Sequence, residues 1–126
     1  MDLTLQTPGD YLFVQGLSEQ GIKVDGVWHD QALVLSPGSL IADWGPADLA
    51  DLDDTLLQPV FDLNPEIVLL GTGEQQKFLS GEQLMLFYKR GIGVEVMTTA
   101  AACRTYNVLA SEERRVVAAL MPHIFP

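Results

Sequence analysis

The stretch from residue 67 to residue 97 restricts the fold more than any other part of the chain. Ile67-Val68-Leu69-Leu70 is a continuous apolar run closed by Gly71, the pattern of a strand covered on both faces. Ser80-Gly81-Glu82-Gln83 then has the Ser-x-x-Gln spacing of a capping box, in which each of the two side chains satisfies a backbone N–H that the first helical turn leaves unpaired. The spacing predicts a helix of about ten residues from Gly81. Leu84, Phe87 and Tyr88 fall on one stripe of it, Lys89-Arg90 sit at the negative end of its dipole, and Gly91 takes the C′ position. Val94-Glu95-Val96-Met97 follows as a second strand. Strand, helix and strand within so short a span imply a right-handed parallel crossover.

On either side of this unit the pattern changes. Upstream, short apolar runs alternate with turns: Tyr11-Leu12-Phe13-Val14, a turn at Glu19-Gln20-Gly21, Ile22-Lys23-Val24, then Asp25-Gly26 and Val27-Trp28-His29. Asp-Gly suits a type I′ hairpin because both central residues tolerate positive φ. Ala32–Leu35 and Leu40–Trp44 flank Ser36-Pro37-Gly38-Ser39, where proline presets φ at the second turn position and glycine accepts positive φ at the third. Residues 47–57 carry leucines at 49, 52, 56 and 57 among aspartates, a short amphipathic helix. Downstream, Thr98 or Thr99 caps a helix with Ala102, Tyr106 and Leu109 on one face, and Ser111 caps a second helix from Glu112 to Leu120, stopped by Pro122. The expectation is one α/β domain over residues 1–126: an antiparallel N-terminal β-meander followed by a βαβαα unit, with a mixed sheet and helices packed on it.

A chain of 126 residues is long enough to bury roughly two-thirds of its unfolded surface without disulfides or metal. Cys103 is the sole cysteine and His29 and His123 are far apart, so no internal disulfide and no Cys/His zinc cluster is expected, nor any cofactor. Met1-Asp2-Leu3-Thr4-Leu5-Gln6 has neither a basic nor an uninterrupted apolar segment, so a cytoplasmic location is expected, and no apolar run reaches the ~20 residues of a membrane span. The net charge of −10 is carried by the first half: residues 1–65 hold eleven Asp/Glu against Lys23, whereas residues 66–126 hold six of each sign. Such a field repels phosphate backbones and anionic lipid, which disfavours nucleic-acid and membrane partners.

Gly71-Thr72-Gly73 is the stretch most suggestive of chemistry. It lacks the third glycine of a dinucleotide-binding loop, since Gln76 stands there, and no Gly-Lys-Ser/Thr follows it. A turn explains it. It also ends a strand, and the strand ending at Met97 points the same way, so Gly71, Thr72, Gly73, Thr98 and Thr99 are candidate ligand-binding residues for a small anion in the crevice beyond the strand ends. Cys103 beside Arg104 has no histidine nearby in sequence to act as a base, and reads as a buried hydrophobe. Tyr106-Asn107 is either packed or a polar pair facing the crevice, Arg115 either joins a surface ion pair or meets a partner, and Trp28 and Trp44 are either core residues or interface anchors.

The second half resembles a family of small, largely uncharacterised domains that includes mitochondrial complex I assembly factor 3 and the adipogenesis-associated domain protein. The resemblance rests on Val68-Leu69-Leu70-Gly71-Thr72-Gly73, Gly91-Ile92-Gly93-Val94-Glu95-Val96-Met97, Thr99, Ala102, Tyr106-Asn107, Leu109 and Arg115-Val116, thinning to Ser36 and Trp44 upstream. It implies an α/β fold of mixed sheets and helices, an assembly or regulatory role, and no proven catalytic residue, so Tyr106, Asn107 and Arg115 carry over only as motif positions and candidate interaction residues. Where relatives often have glycine, this chain has Glu113. Two functions follow: a non-enzymatic protein-interaction or assembly-factor-like domain whose partner is another protein or a second copy of the chain, or a small-anion or metabolite binder or enzyme using the crevice.

Overall fold

The computed structural model describes residues 11–46 and 48–122; the segment Met1–Gln6, Ala47 and His123, on which some of the expectations above rest, lie outside them. The described residues form two sheets. β1 (Val14–Ser18), β2 (Gly21–Val24) and β3 (Val27–His29) form an antiparallel three-stranded sheet. β4 (Leu33–Ser36) and β5 (Ser39–Ile41) belong to a five-stranded mixed sheet with β6 (Ile67–Gly71), β7 (Gly93–Met97) and β8 (Val116–Leu120), in the order β5-β4-β8-β6-β7. The expected meander is therefore split between sheets. Its Asp25-Gly26 turn has φ of 49° and 80°, the mirror-image geometry that matches strand twist. Gly38 does not take the positive φ expected of it; instead the Ser36 hydroxyl accepts from Ser39 N–H and meets Ser39 Oγ at 2.9 Å, closing that turn by side chains.

β6 pairs in parallel with β7 on one side and β8 on the other. The helices are a short 3-10 turn (Leu49–Asp51), α1 (Asp54–Phe61), α2 (Gly81–Tyr88) and α3 (Thr99–Ser111). Both halves of the Ser80/Gln83 capping box are present, and Gly91, at φ 69°, ends the α2 segment with Ile92 N–H on the Phe87 carbonyl and Gly91 N–H on that of Tyr88, a Schellman pattern. The acidic leucine-bearing segment breaks into the 3-10 turn and α1, capped by Asp48 and Asp53, and α1 continues beyond Leu57 to Phe61.

One expected element is corrected. Residues 112–120 are not a helix: α3 runs through Ser111 and stops at Glu113, whose φ is 61°, with Arg114 N–H on the Leu109 carbonyl and Glu113 N–H on that of Ala110. Val116-Val117-Ala118-Ala119-Leu120 is then a strand buried at every position, held between β4 and β6. A five-residue apolar run buried on both faces carries no period by which to tell strand from helix.

The β6-α2-β7 crossover lies on one face of the sheet and the β7-α3-β8 crossover on the other. Ala102, Cys103 and Tyr106 of α3 pack with Leu69, Ala118 and Leu120 and with Val14, Leu17, Ile22 and Val24 of the small sheet. On the opposite face Trp44, Leu49, Leu57, Val60 and Phe87 pack with Val68, Leu70, Val117 and Ala119. The alternation of side chains along each strand divides the core in this way.

Candidate functional site

The strand ends bring Gly71, Thr72, Gly73, Thr98 and Thr99 together, as the parallel crossover requires. Their polar groups are joined to one another. Thr72 N–H bonds the Met97 carbonyl at 2.8 Å and Thr99 N–H the Gly73 carbonyl at 2.9 Å, so the β6–β7 ladder continues past both strand ends. The Thr99 hydroxyl is fully buried; it accepts from Gly73 N–H and donates to the Met121 carbonyl, both at 2.8 Å. Thr72 Oγ1 donates to the Gln75 carbonyl at 2.6 Å and accepts from Lys77 N–H. Thr98, not Thr99, caps α3, accepting from Ala101 N–H. Gly71 is needed for close approach, since a Cβ there would stand 2.9 Å from both Leu120 Cδ2 and Thr99 Oγ1. These residues form a clasp that ties β6, α3 and the end of β8.

A concavity of about 280 Å³ lies beside the clasp, on the side of the 3-10 turn, bounded by Asp48, Leu49, Thr72, Glu74, Lys77 and Met121. Of the five candidate ligand-binding residues, Thr72 and Gly73 line it and Gly71, Thr98 and Thr99 do not. Lys77 has no ion pair among the described residues.

The candidate interaction residues have structural partners. Tyr106 is buried and its hydroxyl donates to the Leu12 carbonyl at 2.8 Å; burial pushes its pKa well above the usual phenol value. The Asn107 amide accepts from Val14 N–H and donates to the Val14 carbonyl, both at 2.8 Å, so that one side chain pairs with β1 as a neighbouring strand would and docks the small sheet on α3. Arg115 is exposed, with Nε on the Asn64 carbonyl at 3.2 Å. Beside it Arg114 pairs with Glu66 at 2.9 Å, and the guanidinium, with Arg115 N–H, holds the Glu66 carboxyl below its usual pKa. Burial pushes the Cys103 thiol up to about 12, which suits packing rather than nucleophilic chemistry. Trp44 is core, donating to the Leu56 carbonyl at 2.7 Å, whereas Trp28 is half-buried under Lys23.

Sequence reasoning missed a surface feature. Tyr88, grouped by spacing with the core stripe of α2, is 54% exposed; Met85 is 55% exposed and Phe78, just before the helix, 81%. In Leu84-Met85-Leu86-Phe87-Tyr88 every residue is apolar or aromatic, so more than one helix face is apolar. That run was the available signal.

Comparison with known proteins accords with this architecture. A crystal structure of a Bordetella parapertussis protein is 39% identical and superposes with a TM-score of 0.82 over 92% of this chain and 98% of that one. The NADH dehydrogenase [ubiquinone] 1 alpha subcomplex assembly factor 3 of Danio rerio is 36% identical over 112 residues, 86% of this chain and 63% of the relative. A Francisella tularensis protein named 13 kDa major membrane protein is 38% identical over 69 residues, 55% of this chain and 56% of its own. The chain thus spans about three-fifths of the length of the curated assembly-factor relatives it matches. No helix among the described residues is long and apolar enough to cross a membrane. The resemblance read from the glycine and strand motifs holds, and with residues 14–121 matching its model the chain belongs to the DUF498/DUF598 family, described as proteins of unknown function.

Proposed function

We propose that this chain is a non-enzymatic protein-interaction domain of the assembly-factor type, acting in the cytoplasm as a single domain. The observation that carries this reading is the exposure of three large apolar side chains along one segment, Phe78, Met85 and Tyr88, against an otherwise strongly acidic chain of net charge −10. Met85 and Tyr88, three positions apart on α2, are neighbours on its surface, and a grouped apolar patch of this kind is what a partner covers. The Danio rerio relative is named an assembly factor, which supports the same reading, and the acidic N-terminal half opposes nucleic-acid partners. Affinity capture from native lysate tests it: the wild-type chain recovers a reproducible protein partner, and a Phe78→Ser, Met85→Glu, Tyr88→Ser variant does not. Failure of the wild type to recover any partner, under conditions in which control complexes survive, overturns it.

Lys77 at the concavity carries a second reading, a small anionic metabolite held by its amine; the Thr72 hydroxyl and the Gly73 N–H are already hydrogen-bonded, and Asp48 and Glu74 line the same concavity. Thermal-shift measurements with phosphates and carboxylates at millimolar concentration test that reading, since a ligand at 100 Kd adds about 2.7 kcal/mol; no stabilisation by any of them, or stabilisation that survives Lys77→Ala, rejects it.

A further inference from the structure

β7 is an outer strand: its one neighbour among the described residues is β6. Gly93 N–H bonds the Glu66 carbonyl and the Met97 carbonyl accepts from Thr72 N–H. In a parallel register the backbone groups of residues 93, 95 and 97 therefore point to β6, and those of Val94 and Val96 point outward. Among these outward groups the Val96 carbonyl accepts from Gln76 Nε2 at 2.9 Å; both outward N–H groups and the Val94 carbonyl have no partner among the described residues.

α2 packs over this edge, and its contacts fix its orientation. Gln83 reaches the Leu49 and Leu52 carbonyls, Arg90 reaches Asp54, and Phe87 meets Phe61 edge to face. At about 100° per residue, these side chains define the flank turned inward to the 3-10 turn and α1. Leu84, Met85 and Tyr88 lie on the other flank, which overhangs the open side of β7. The edge and the apolar flank together make a groove with a hydrogen-bonding wall and an apolar ledge.

We propose that this groove is a strand-addition site: an extended segment of a partner protein pairs with both Val94 backbone groups and the Val96 N–H, beside the Gln76 side chain that already holds the Val96 carbonyl, lays alternate apolar side chains on the ledge of Leu84, Met85 and Tyr88, and sets a Lys or Arg opposite Glu95. The alternation follows from the pleat. Val94 and Val96 face the α2 side, where they join its core cluster, while Met97, and with it Glu95, faces the α3 side. An added residue across from Glu95 shares its face, and its neighbours share the face of the ledge. Glu95 is exposed and has no ion pair among the described residues, so a basic residue opposite it is complementary. A second copy fits worse: the two-fold pairing that exchanges bonds between Val94 and the other copy's Val96 sets two Glu95 directly opposite one another, and each chain brings a net charge of −10. The inference rests on the interaction reading above and names its surface and the chemistry of its partner.

The probe is a labelled ten-residue peptide of alternating valine and threonine with one central lysine, and its twin with a central glutamate. Titrated into the full chain, the lysine peptide binds at least ten-fold tighter than its twin, and Glu95→Lys reverses that order. Val96→Pro removes an outward N–H without touching a bond to β6 and weakens binding at least ten-fold, with the far-UV circular dichroism and thermal midpoint as folding controls; N-methylation of alternate peptide amides gives the same loss on the unaltered protein. Equal binding of the two peptides, or no effect of N-methylation, overturns the proposal. A dimer that Val96→Pro dissolves assigns the edge to a second copy and overturns it equally. A native partner captured equally by wild type and Val96→Pro overturns strand addition and leaves the interaction reading standing, whereas a wild-type chain that captures nothing overturns that reading too.

Discussion

Replacing Thr99 by valine isolates what the Gly71-Thr72-Gly73 segment does. Valine matches threonine in shape, so packing against Gly71 is kept and only the hydroxyl is lost. That hydroxyl is fully buried and serves two backbone groups, the Gly73 N–H and the Met121 carbonyl, each at 2.8 Å. A buried backbone group deprived of its partner costs about 1–3 kcal/mol, and relaxation lets part of that be recovered, so the expected loss is about 3 kcal/mol in total. In a chain of this size each kcal/mol moves the thermal midpoint by roughly 3–5 °C, so Thr99→Val should melt about 10–15 °C lower. Thr99→Ser keeps both hydrogen bonds and loses one buried methyl, about 1 kcal/mol, or a few degrees. The assay is reversible thermal or urea unfolding of the three proteins, with hydrogen exchange at Gly73 as a local readout: exchange accelerates in the valine protein and not in the serine one. If valine proves as mild as serine, the hydroxyl is not a structural clasp and the reasoning fails.

Three further outcomes follow from particular contacts. Glu113→Gly should raise stability by about 0.5–1 kcal/mol, because Glu113 holds φ 61° at the end of α3, where glycine escapes the Cβ clash but loses more chain entropy on folding; an unchanged urea midpoint contradicts this. Gln83→Glu preserves the acceptor for Ser80 N–H but removes the amide that donates to the Leu49 and Leu52 carbonyls at 3.0 and 3.2 Å, so it should cost about 1–2 kcal/mol, whereas a capping box considered alone predicts no loss. Burial raises the Cys103 thiol from 9.0 to about 12; above pH 9 the unfolded chain sheds a proton that the folded one keeps, so stability should fall by about 1.4 kcal/mol per pH unit from this group. Cys103→Ala should flatten that fall, and an identical slope in both proteins refutes it.

The parallel crossover was legible because its signals are local and redundant: a doubly apolar strand at 67–70, a Ser-x-x-Gln cap and a terminal Gly91 all indicate the same boundaries. β8 was not, since Val116–Leu120 is buried throughout by β4 and β6, neighbours remote in sequence, and Glu113 hides the helix stop that a glycine would announce. The clustering of Gly71, Thr72, Gly73, Thr98 and Thr99 was legible from strand direction, but not that their hydrogen bonds close on each other, which depends on Met121 arriving from the end of β8. The likeness of Tyr106-Asn107 to a polar pair hid a structural use for the same reason: the Leu12 and Val14 backbone that they bind lies more than ninety positions away. An exposed helix flank is the hardest to read, because Tyr88 and Phe87 are alike in hydrophobicity and differ only in what packs on them.

Hydrogen exchange at β7, measured on the full chain alone and on the chain isolated with its native partner, bears most directly on where this domain works. Strand addition predicts that the outward amides of Val94 and Val96 gain protection in the complex while the loop from Glu74 to Lys77 exchanges as before. Protection gained in that loop, with Val94 and Val96 unchanged, would place the working surface at the concavity and contradict the proposal.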